Sequence, residues 1–179
     1  SGSFFLLFAD VPGGGDTLTG ITLAEQTTTV GQGGGKRTLA AGTLLYAHDT
    51  QHNNIYIFEP DQVGATTTGT ASVLVAGADI NIGQSIGGLQ LVQADTELGG
   101  VSLTAGQLLV SLQGNDSTVG SGTTINVMRH DIFALDVSAT GAGTSVATAS
   151  RLFEGLDENL ADNKQAIAGI GLEANAAPE

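Results

Sequence analysis

Residues 55–77 read IYIFEPDQVGATTTGTASVLVAG, and residues 132–155 repeat the pattern as IFALDVSATGAGTSVATASRLFEG. The two stretches share apolar, acidic and glycine positions in the same order. The aligned pairs are Ile55 and Ile132, Tyr56 and Phe133, Glu59 and Asp136, Gly64 and Gly141, Leu74 and Leu152, and Gly77 and Gly155. Each copy has the pattern of a strand, a Gly/Thr turn and a second strand. An internal repeat constrains the architecture more than any local signal does, and this one predicts two similar units.

The repeat extends beyond these stretches on both sides. The further matched blocks are 16–23 with 95–103, 39–45 with 103–109, 79–82 with 157–160, and 84–91 with 165–172. Because positions 23 and 39 both align with position 103, the first copy must carry an insertion across 24–38. The second copy carries one across 114–129. The first insertion is rich in Thr and Gly and is predicted to be a flexible loop.

The residue pattern predicts an all-β fold with little helix. Thr, Val and Ile are enriched between glycine-rich turns, and no stretch keeps a helical period of apolar residues. We expect two tandem antiparallel units of about 80 residues each, 1–86 and 87–165, followed by a surplus strand and tail at 166–179. The opening strand of the second unit, 87–93, is predicted to correspond to 4–8 in the first unit.

The packing of the two units stays open at this stage. They can face each other as a β-sandwich or lie side by side like propeller blades. Two blades cannot close a ring, because propellers have about four to eight. A blade-like pair therefore requires several chains or a larger array to cover its end faces.

Composition indicates which partners and which location the protein can have. The chain has 5 Lys and Arg against 18 Asp and Glu, a net charge of -13, and no cysteine. This charge argues against nucleic acid and anionic membranes as partners and allows divalent cations. Disulfides and thiolate chemistry are excluded. The acidic, Lys-poor, Thr/Gly-rich composition is typical of secreted bacterial surface proteins and predicts an extracellular or cell-surface location.

The matched segments also resemble a known kind of repeat. Residues 54–71 and 131–145 begin with an Asx, an aliphatic and an aromatic residue and continue into a Gly/Thr turn. In the second copy Phe153, Glu154, Gly155 and Asp157 follow. This pattern resembles the tandem β repeats of large secreted bacterial surface and adhesin-like proteins. The resemblance implies an extracellular structural or adhesive role, with no catalytic residues to carry over.

Two histidine-containing groups are candidates for chemistry. His48, Asp49 and His52 resemble a metal cluster without a clear further ligand, and exposed turn histidines are the alternative. His130 and Asp131 suggest two members of a hydrolytic triad, but the chain has no G-x-S-x-G motif. We therefore predict that the chain is not an enzyme.

The acidic segment after the second repeat is the best candidate for a metal site. Asp157, Asn159 and Asp162 place three oxygen donors in six residues. Ca²⁺ takes about six to eight oxygen ligands, so the segment is a candidate calcium site. Asp79 and Asn81 hold the equivalent positions in the first copy. The D-x-[DN]-x-[DN]-G pattern is absent, and solvated turn residues are the alternative.

The most apolar stretch of the chain lies near its start. It consists of Phe4, Phe5, Leu6, Leu7 and Phe8, which include three of the six phenylalanines. It is too short to span a bilayer, so no membrane insertion is expected. An uncovered apolar strand promotes aggregation, so it must be covered by its own unit or by another copy.

Since 166–173 repeats an opening strand, we hypothesise strand exchange between copies. The predicted function is an extracellular structural or adhesive protein that self-assembles as a homo-oligomer or filament. The alternative is a non-catalytic binding module or a capsid-decoration protein of a virion.

Overall fold

The computed structural model describes residues 17–49, 53–64, 66–158, 160 and 166–172. In these ranges the chain forms antiparallel β-strands and three 3-10 turns, which confirms the all-β prediction. The strands are β1 (Leu18–Leu23), β2 (Thr28–Val30), β3 (Arg37–Leu39), β4 (Leu44–His48), β5 (Ile55–Gln62), β6 (Thr68–Val75), β7 (Ile86–Leu91), β8 (Thr96–Leu98), β9 (Val101–Leu103), β10 (Leu108–Leu112), β11 (Asp116–Val119), β12 (Ile125–Val127), β13 (Ile132–Ala139) and β14 (Val146–Phe153). The 3-10 turns are Gly33–Gly35, Gly77–Ile80 and Gly155–Glu158.

Two four-stranded sheets form the body of the molecule. Sheet 1 has the order β1-β4-β5-β6, and sheet 2 has the order β7-β10-β13-β14. In each sheet the strands follow one another along the chain and pair antiparallel. β5 and β13 therefore hold the same place, as the repeat predicts, and each has 8 residues. The two tandem units therefore have the same sheet topology.

A hydrogen bond explains why each copy starts with an Asx residue and ends with Gly. The N–H of Gly77 donates to Oδ1 of Asn54 at 3.0 Å, and the N–H of Gly155 donates to Oδ1 of Asp131 at 3.1 Å. A Cβ on either glycine would collide with the carbonyl oxygen of the residue before the Asx. The motif thus closes the start of β5 or β13 onto the end of the following strand.

The turns are repeated in their backbone geometry as well. Gly42 and Gly106, which precede the second strand of each sheet, both have a φ of 94°. A residue with a Cβ is strained there, so glycine is favoured. This equivalence confirms the match of 39–45 with 103–109.

The first strand of each sheet is where the sequence alignment was wrong. β1 holds this place in sheet 1, with Leu23 opposite Leu44, and β7 holds it in sheet 2, with Leu91 opposite Leu108. β1, not 4–8, is thus the equivalent of β7. The match of 16–23 with 95–103 also fails, because β8 and β9 form a separate hairpin. Segments 16–23 and 95–103 both alternate Leu and Thr, so their sequences are similar although their strands hold different places. Segment 4–8 lies outside the described residues.

Both insertions are ordered hairpins. The insertion 24–38, predicted to be a flexible loop, contains β2 and most of β3. Val30 within it and Leu39 directly after it are fully buried. The insertion 114–129 contains β11 and β12, with Val119 and Val127 fully buried. These residues belong to the main core. A few well-placed apolar side chains outweigh the local preference of a Thr/Gly-rich stretch for a loop.

Each sheet has two apolar faces, which we call front and back. The front face carries Leu45 and Ile57 in sheet 1, and their equivalents Leu109 and Ala134 in sheet 2. The back face carries Leu44 and Phe58 in sheet 1, and their equivalents Leu108 and Leu135 in sheet 2. Because side chains alternate along a strand, adjacent residues lie on opposite faces.

The main core lies between the front of sheet 1 and the back of sheet 2. Its large members include Leu45, Ile55, Ile57 and Leu74 from sheet 1, and Leu108, Val110, Phe133, Leu135 and Val137 from sheet 2. The two units therefore pack through unlike faces, as successive blades do. Packing through unlike faces favours the blade-like alternative.

The first strands of the two sheets lie in close contact. A Cβ on Gly20 of β1 would lie only 3.2 Å from the Cβ of Leu89 in β7. Segment 166–172 lies beside β7 in the same way as β7 lies beside β1. A Cβ on Gly88 of β7 would lie 3.1 Å from Cγ1 of Ile170. The predicted third opening strand is thus at the expected place. Residues 166–172 form no regular strand, which corrects that part of the prediction.

We expect Gly77→Ala and Gly155→Ala each to lower the free energy of unfolding by about 1–3 kcal/mol, because the added Cβ forces a buried carbonyl to move. Urea denaturation measures this effect. Gly34→Ala is the matched control, since a Cβ there meets open space. Its effect should stay within about 0.5 kcal/mol. Equal effects at all three positions would contradict the close-approach argument.

Candidate functional site

The contact between the two units at the rim of the sheets is the most specific polar arrangement in the described chain. The docking turn, 141–145, joins β13 to β14 and binds the docking segment, 74–79, of the first unit. The N–H of Gly141 donates to the carbonyl of Leu74 at 2.8 Å. The N–H of Ala76 donates to Oγ of Ser145 at 2.9 Å, and the N–H of Ser145 donates to Oδ2 of Asp79 at 3.0 Å.

Local hydrogen bonds prepare the docking turn for this contact. Gly141 has a φ of 102°, which favours glycine. Its carbonyl accepts hydrogen bonds from Oγ1 of Thr144 at 3.2 Å and from Oγ of Ser145 at 2.7 Å. The Ser145 hydroxyl therefore donates within its own turn and accepts from the other unit, which uses both of its capacities. Ser145 is almost completely buried.

The chain carries part of this contact a second time. In the first unit Gly64 also has a positive φ, of 117°, and Oγ1 of Thr67 donates to its carbonyl at 3.1 Å. The match ends there, because Thr68 begins β6 and pairs with Gln62, just as Val146 begins β14 and pairs with Ala139. Residues 152–157 form the segment equivalent to 74–79 in the second unit, with Asp157 in the place of Asp79. We call 152–157 the open segment, because Asp157 is exposed.

The predicted calcium site falls partly on this open segment. Asp157 lies in the 3-10 turn Gly155–Glu158, while Asn159 and Asp162 lie outside the described residues. In the first copy Asp79 is engaged by Ser145, and Nδ2 of Asn81 donates to the carbonyl of Gly120 at 3.0 Å. Within the described ranges no three His, Cys, Asp or Glu side chains cluster as metal ligands. The calcium site stays a prediction, and the first copy uses the same positions for contact between units.

His48 and Asp49 point to structural roles. His48 is 1% exposed and stacks on Tyr56, with ring centroids 4.9 Å apart. Asp49 ties the start of β1 to the end of β4, since its Oδ1 accepts from the N–H of Thr17 at 3.3 Å. His52 lies outside the described residues. His48 shares a strand face with Tyr46, and this alternation is the signal that could have placed it in an aromatic cluster.

Asp131, the neighbour of His130, has a structural role. The carboxylate of Asp131 is buried, and its Oδ2 accepts from the N–H of Met128 at 2.9 Å and lies 3.5 Å from Nε of Arg151. Its Oδ1 receives the N–H of Gly155. In the described part of the chain neither ring nitrogen of His130 has a hydrogen-bond partner. Asp131 therefore closes the repeat, as its counterpart Asn54 does.

A groove follows the first strands of the two sheets. It has a volume of about 880 Å³. Its lining residues include Ile21, Leu23, Gln90, Gln93 and Leu172. Gln93 is engaged, since its Oε1 accepts from the N–H of Glu25 at 2.6 Å and its Nε2 donates to the carbonyl of Leu23 at 3.0 Å. The groove can hold a ligand.

In comparisons with protein-family models, curated proteins and solved structures, nothing matches this chain. The resemblance to secreted β repeats therefore stays a prediction. Within the described residues no helix has the length and apolar character needed to cross a membrane.

Burial raises the pKa of Tyr46 from 10.0 to about 12, and the nearby Tyr56 phenol adds to the effect. The folded chain therefore keeps a proton that the unfolded chain has lost, and stability falls as the pH rises from 10 towards 12. We expect a phenolate absorbance phase near pH 12 that Tyr46→Phe abolishes.

Tyr56→Phe is the control for this titration. It should leave the late phase in place and move it to lower pH, because the contribution of its phenol is lost. A wild-type titration that is complete near pH 10 would contradict the burial argument.

Proposed function

We propose that this chain is an extracellular structural protein whose copies assemble through stacking of their β units. One observation carries the proposal: the two units pack front to back, so the pair ends in two different faces. A contact between unlike faces is heterologous, and its repetition builds rings or filaments. The mode of packing inside the chain is thus one that can continue between chains.

The two end faces have the chemistry that such stacking requires. The back of sheet 1 carries Leu44, Tyr46, Tyr56 and Phe58. The front of sheet 2 carries Leu109 and Ala134, with Ile132 and Leu152 partly buried beside them. These faces are the equivalents of the two surfaces that form the main core. Both end faces are already buried in the chain, with Phe58 1% and Leu109 2% exposed. Stacking on another copy therefore requires that the residues covering them be displaced, as strand exchange would do.

Segment 166–172 is the candidate for strand exchange. It lies beside β7 in the place of a third first strand, and Oγ of Ser111 donates to the carbonyl of Ile167 at 2.8 Å. The N–H of Ile167 donates to the carbonyl of Arg129 at 3.2 Å. A short segment with irregular pairing is easily exchanged for the first strand of another copy. Segment 4–8 is the second candidate in this proposal, from the sequence alone.

An extracellular location of the protein is part of the proposal. A net charge of -13 without cysteine suits an extracellular protein that gains its stability from a core and from assembly. Non-catalytic function is supported by the structural use of Asp131 and Asp79, the acidic groups nearest to candidate chemistry. An adhesive role would add a receptor to the same architecture.

The alternative function is a binding or capsid-decoration module, and the groove along β1 and β7 favours it. Its lining combines Ile21, Leu23 and Leu172 with glutamine side chains. Such a mixture suits an extended chain or a small polar ligand. In that case the two end faces only shield the core, and copies of the protein do not associate through them.

Electron microscopy and sedimentation velocity of the purified protein test the proposal. We expect rings or filaments whose fraction rises with protein concentration. Deletion of residues 1–9 should abolish them and leave the circular-dichroism spectrum of the β-sheets largely unchanged. Monodisperse monomers at all concentrations would refute self-assembly. Normal assembly of the truncated chain, or its unfolding, would exclude strand exchange by the N-terminal segment.

The calcium prediction has its own measurement. If Asp157, Asn159 and Asp162 bind Ca²⁺, a chelator should lower the melting temperature and excess Ca²⁺ should restore it, since a ligand that binds the folded state stabilises it. Asp157→Asn should weaken the response. Identical melting curves with chelator and with excess Ca²⁺ would exclude the site.

A further inference from the structure

We propose that residues 3–10 are a last strand, the counterpart of β6 and β14, and that they bind the back of sheet 1 of their own chain. The segment lies outside the described residues. The described face, the sequence of the segment and the point where the chain enters sheet 1 support the contact. It forms within a single chain and does not depend on self-assembly. In the assembly proposed above, it is the contact that is exchanged between copies.

The back of sheet 1 is buried, and its cover is the first observation. Tyr46 is 2% exposed and Phe58 is 1% exposed. Within the described ranges, the partly buried apolar side chains packed against this cluster are Ala71 and Val73, which belong to the same sheet. Side chains on one face of a sheet lie beside one another, so burying that face requires a further layer above it.

The sequence limits which part of the chain can supply this layer. The ranges outside the described residues are 1–16, 50–52, 65, 159, 161–165 and 173–179. Apart from 1–16, these ranges contain no apolar side chain larger than alanine or proline. The range 1–16 contains the run from Phe4 to Phe8, the most apolar stretch of the chain. This run is therefore the occupant that fits the face.

Residues 3–10 have the sequence pattern of a last strand. A serine and an aspartate enclose six residues in each of three segments, and the pairs are Ser3 and Asp10, Ser72 and Asp79, and Ser150 and Asp157. In this alignment Phe5 and Leu6 correspond to Leu74 and Val75 of β6. The same pattern thus occurs at the end of both units and once before the first.

The distance to the next strand supports the same assignment. The first strands share a motif of glycine, an aliphatic residue, any residue and leucine, which begins at Gly20 in β1 and at Gly88 in β7. Asp10 lies 10 positions before Gly20, and Asp79 lies 9 positions before Gly88. Residues 3–10 therefore precede β1 as β6 precedes β7.

Phe8 occupies the position at which the other last strands have glycine. Gly77 and Gly155 are needed because a Cβ would collide with the start of the strand before, which belongs to the same unit. A last strand that lies on another unit does not make this contact, so a large side chain is allowed. The difference is consistent with a strand outside the two complete sheets.

β6 shows how a last strand binds the following unit. Leu74 and Val75 lie in the main core, which is formed with the back of sheet 2. The end of β6 also bridges to the second unit, where Val75 pairs with Gly141. By equivalence, we expect Phe5 and Leu6 to face the back of sheet 1.

The face and the segment are matched in chemistry. β4 and β10 each have 5 residues, so Tyr46 and His48 hold the places that Val110 and Leu112 hold in sheet 2. His48 stacks on Tyr56 with ring centroids 4.9 Å apart. The back of sheet 1 is thus richer in rings than the back of sheet 2. Aromatic side chains pack favourably against one another, which suits a segment with three phenylalanines.

The chain enters sheet 1 at the right end for this contact. Thr17 is joined to Asp49, directly after His48, because the N–H of Asp49 donates to the carbonyl of Thr17 at 3.1 Å. Nine residue steps separate Phe8 from Thr17 and can span about 30 Å. The width from β4 to β6 is two strand spacings, or about 10 Å. The segment can therefore reach any part of the face.

Acetylation of tyrosine tests the contact, because the two tyrosines of the chain, Tyr46 and Tyr56, both lie on this face. N-acetylimidazole modifies exposed phenols at neutral pH, and mass spectrometry counts the modified residues. The monomeric fraction from gel filtration is used. We expect acetylation to be about tenfold or more faster in a chain that lacks residues 1–9, with the circular-dichroism spectrum of the β-sheets retained. Deletion of residues 174–179 is the control and should leave both tyrosines protected.

Substitutions in the full chain test the register and serve if the truncated chain unfolds. Phe5→Ala should speed acetylation and lower the melting temperature by roughly 5 °C or more, because Phe5 faces the sheet. Phe4→Ala is the matched control. Phe4 corresponds to Val73, which lies on the opposite face of its strand from Ser72 and the main core, so its effect should be small.

Each remaining outcome decides the matter. Tyrosines that stay protected both in a folded truncated chain and in Phe5→Ala would overturn the contact. Equal effects of Phe4→Ala and Phe5→Ala would overturn the assignment as a last strand. A wild-type chain that stays monomeric would refute the proposed self-assembly, and the protection of its tyrosines by residues 1–9 would still support this contact.

Discussion

The contact of the front of sheet 1 with the back of sheet 2 is the interaction on which the rest of the structure depends. Each large apolar side chain that it buries, such as Ile57 or Phe133, contributes about 1.5–3 kcal/mol. The two inserted hairpins extend this core at its margins with Val30 and Val119. Each hairpin also binds the opposite unit. In the first hairpin the carbonyl of Gly35 accepts the N–H of Thr140 at 2.8 Å. In the second, the N–H of Gly120 donates to the carbonyl of Ile80 at 2.8 Å. Neither unit is therefore complete without the other.

The polar groups that look like candidates for chemistry serve this architecture. Asp131 and Asn54 accept the same glycine N–H in the two units, so a charged and a neutral side chain perform one structural task. Asp79 receives the docking turn, and Asp49 joins two strand ends. A carboxylate that accepts backbone N–H groups makes charge-assisted hydrogen bonds, and these hold the joined segments together.

Several features of the fold were predictable from the residues. The repeat predicted two units with equivalent strands, and it placed 39–45 on 103–109 correctly. It also aligned 84–91 with 165–172, of which residues 166–172 lie beside β7 without forming a regular strand. It failed for 16–23, because alternating Leu and Thr occur both in a first strand and in the β8–β9 hairpin. The hairpin nature of 24–38 was also missed. Its only sequence signals are Val30 and Leu39, and their burial depends on a unit far away in the chain.

The sequence by itself determined the strand content, the tandem units and the glycines that close each repeat, because alternation, turn preference and steric demand act over short distances. Only the tertiary structure decided that unlike faces meet. Both faces of each sheet are apolar, so no pattern along a strand distinguishes front from back. The tertiary structure alone also assigned Asp79 and Ser145 to each other. They lie 66 positions apart, and their hydrogen bond exists only when the two sheets are stacked.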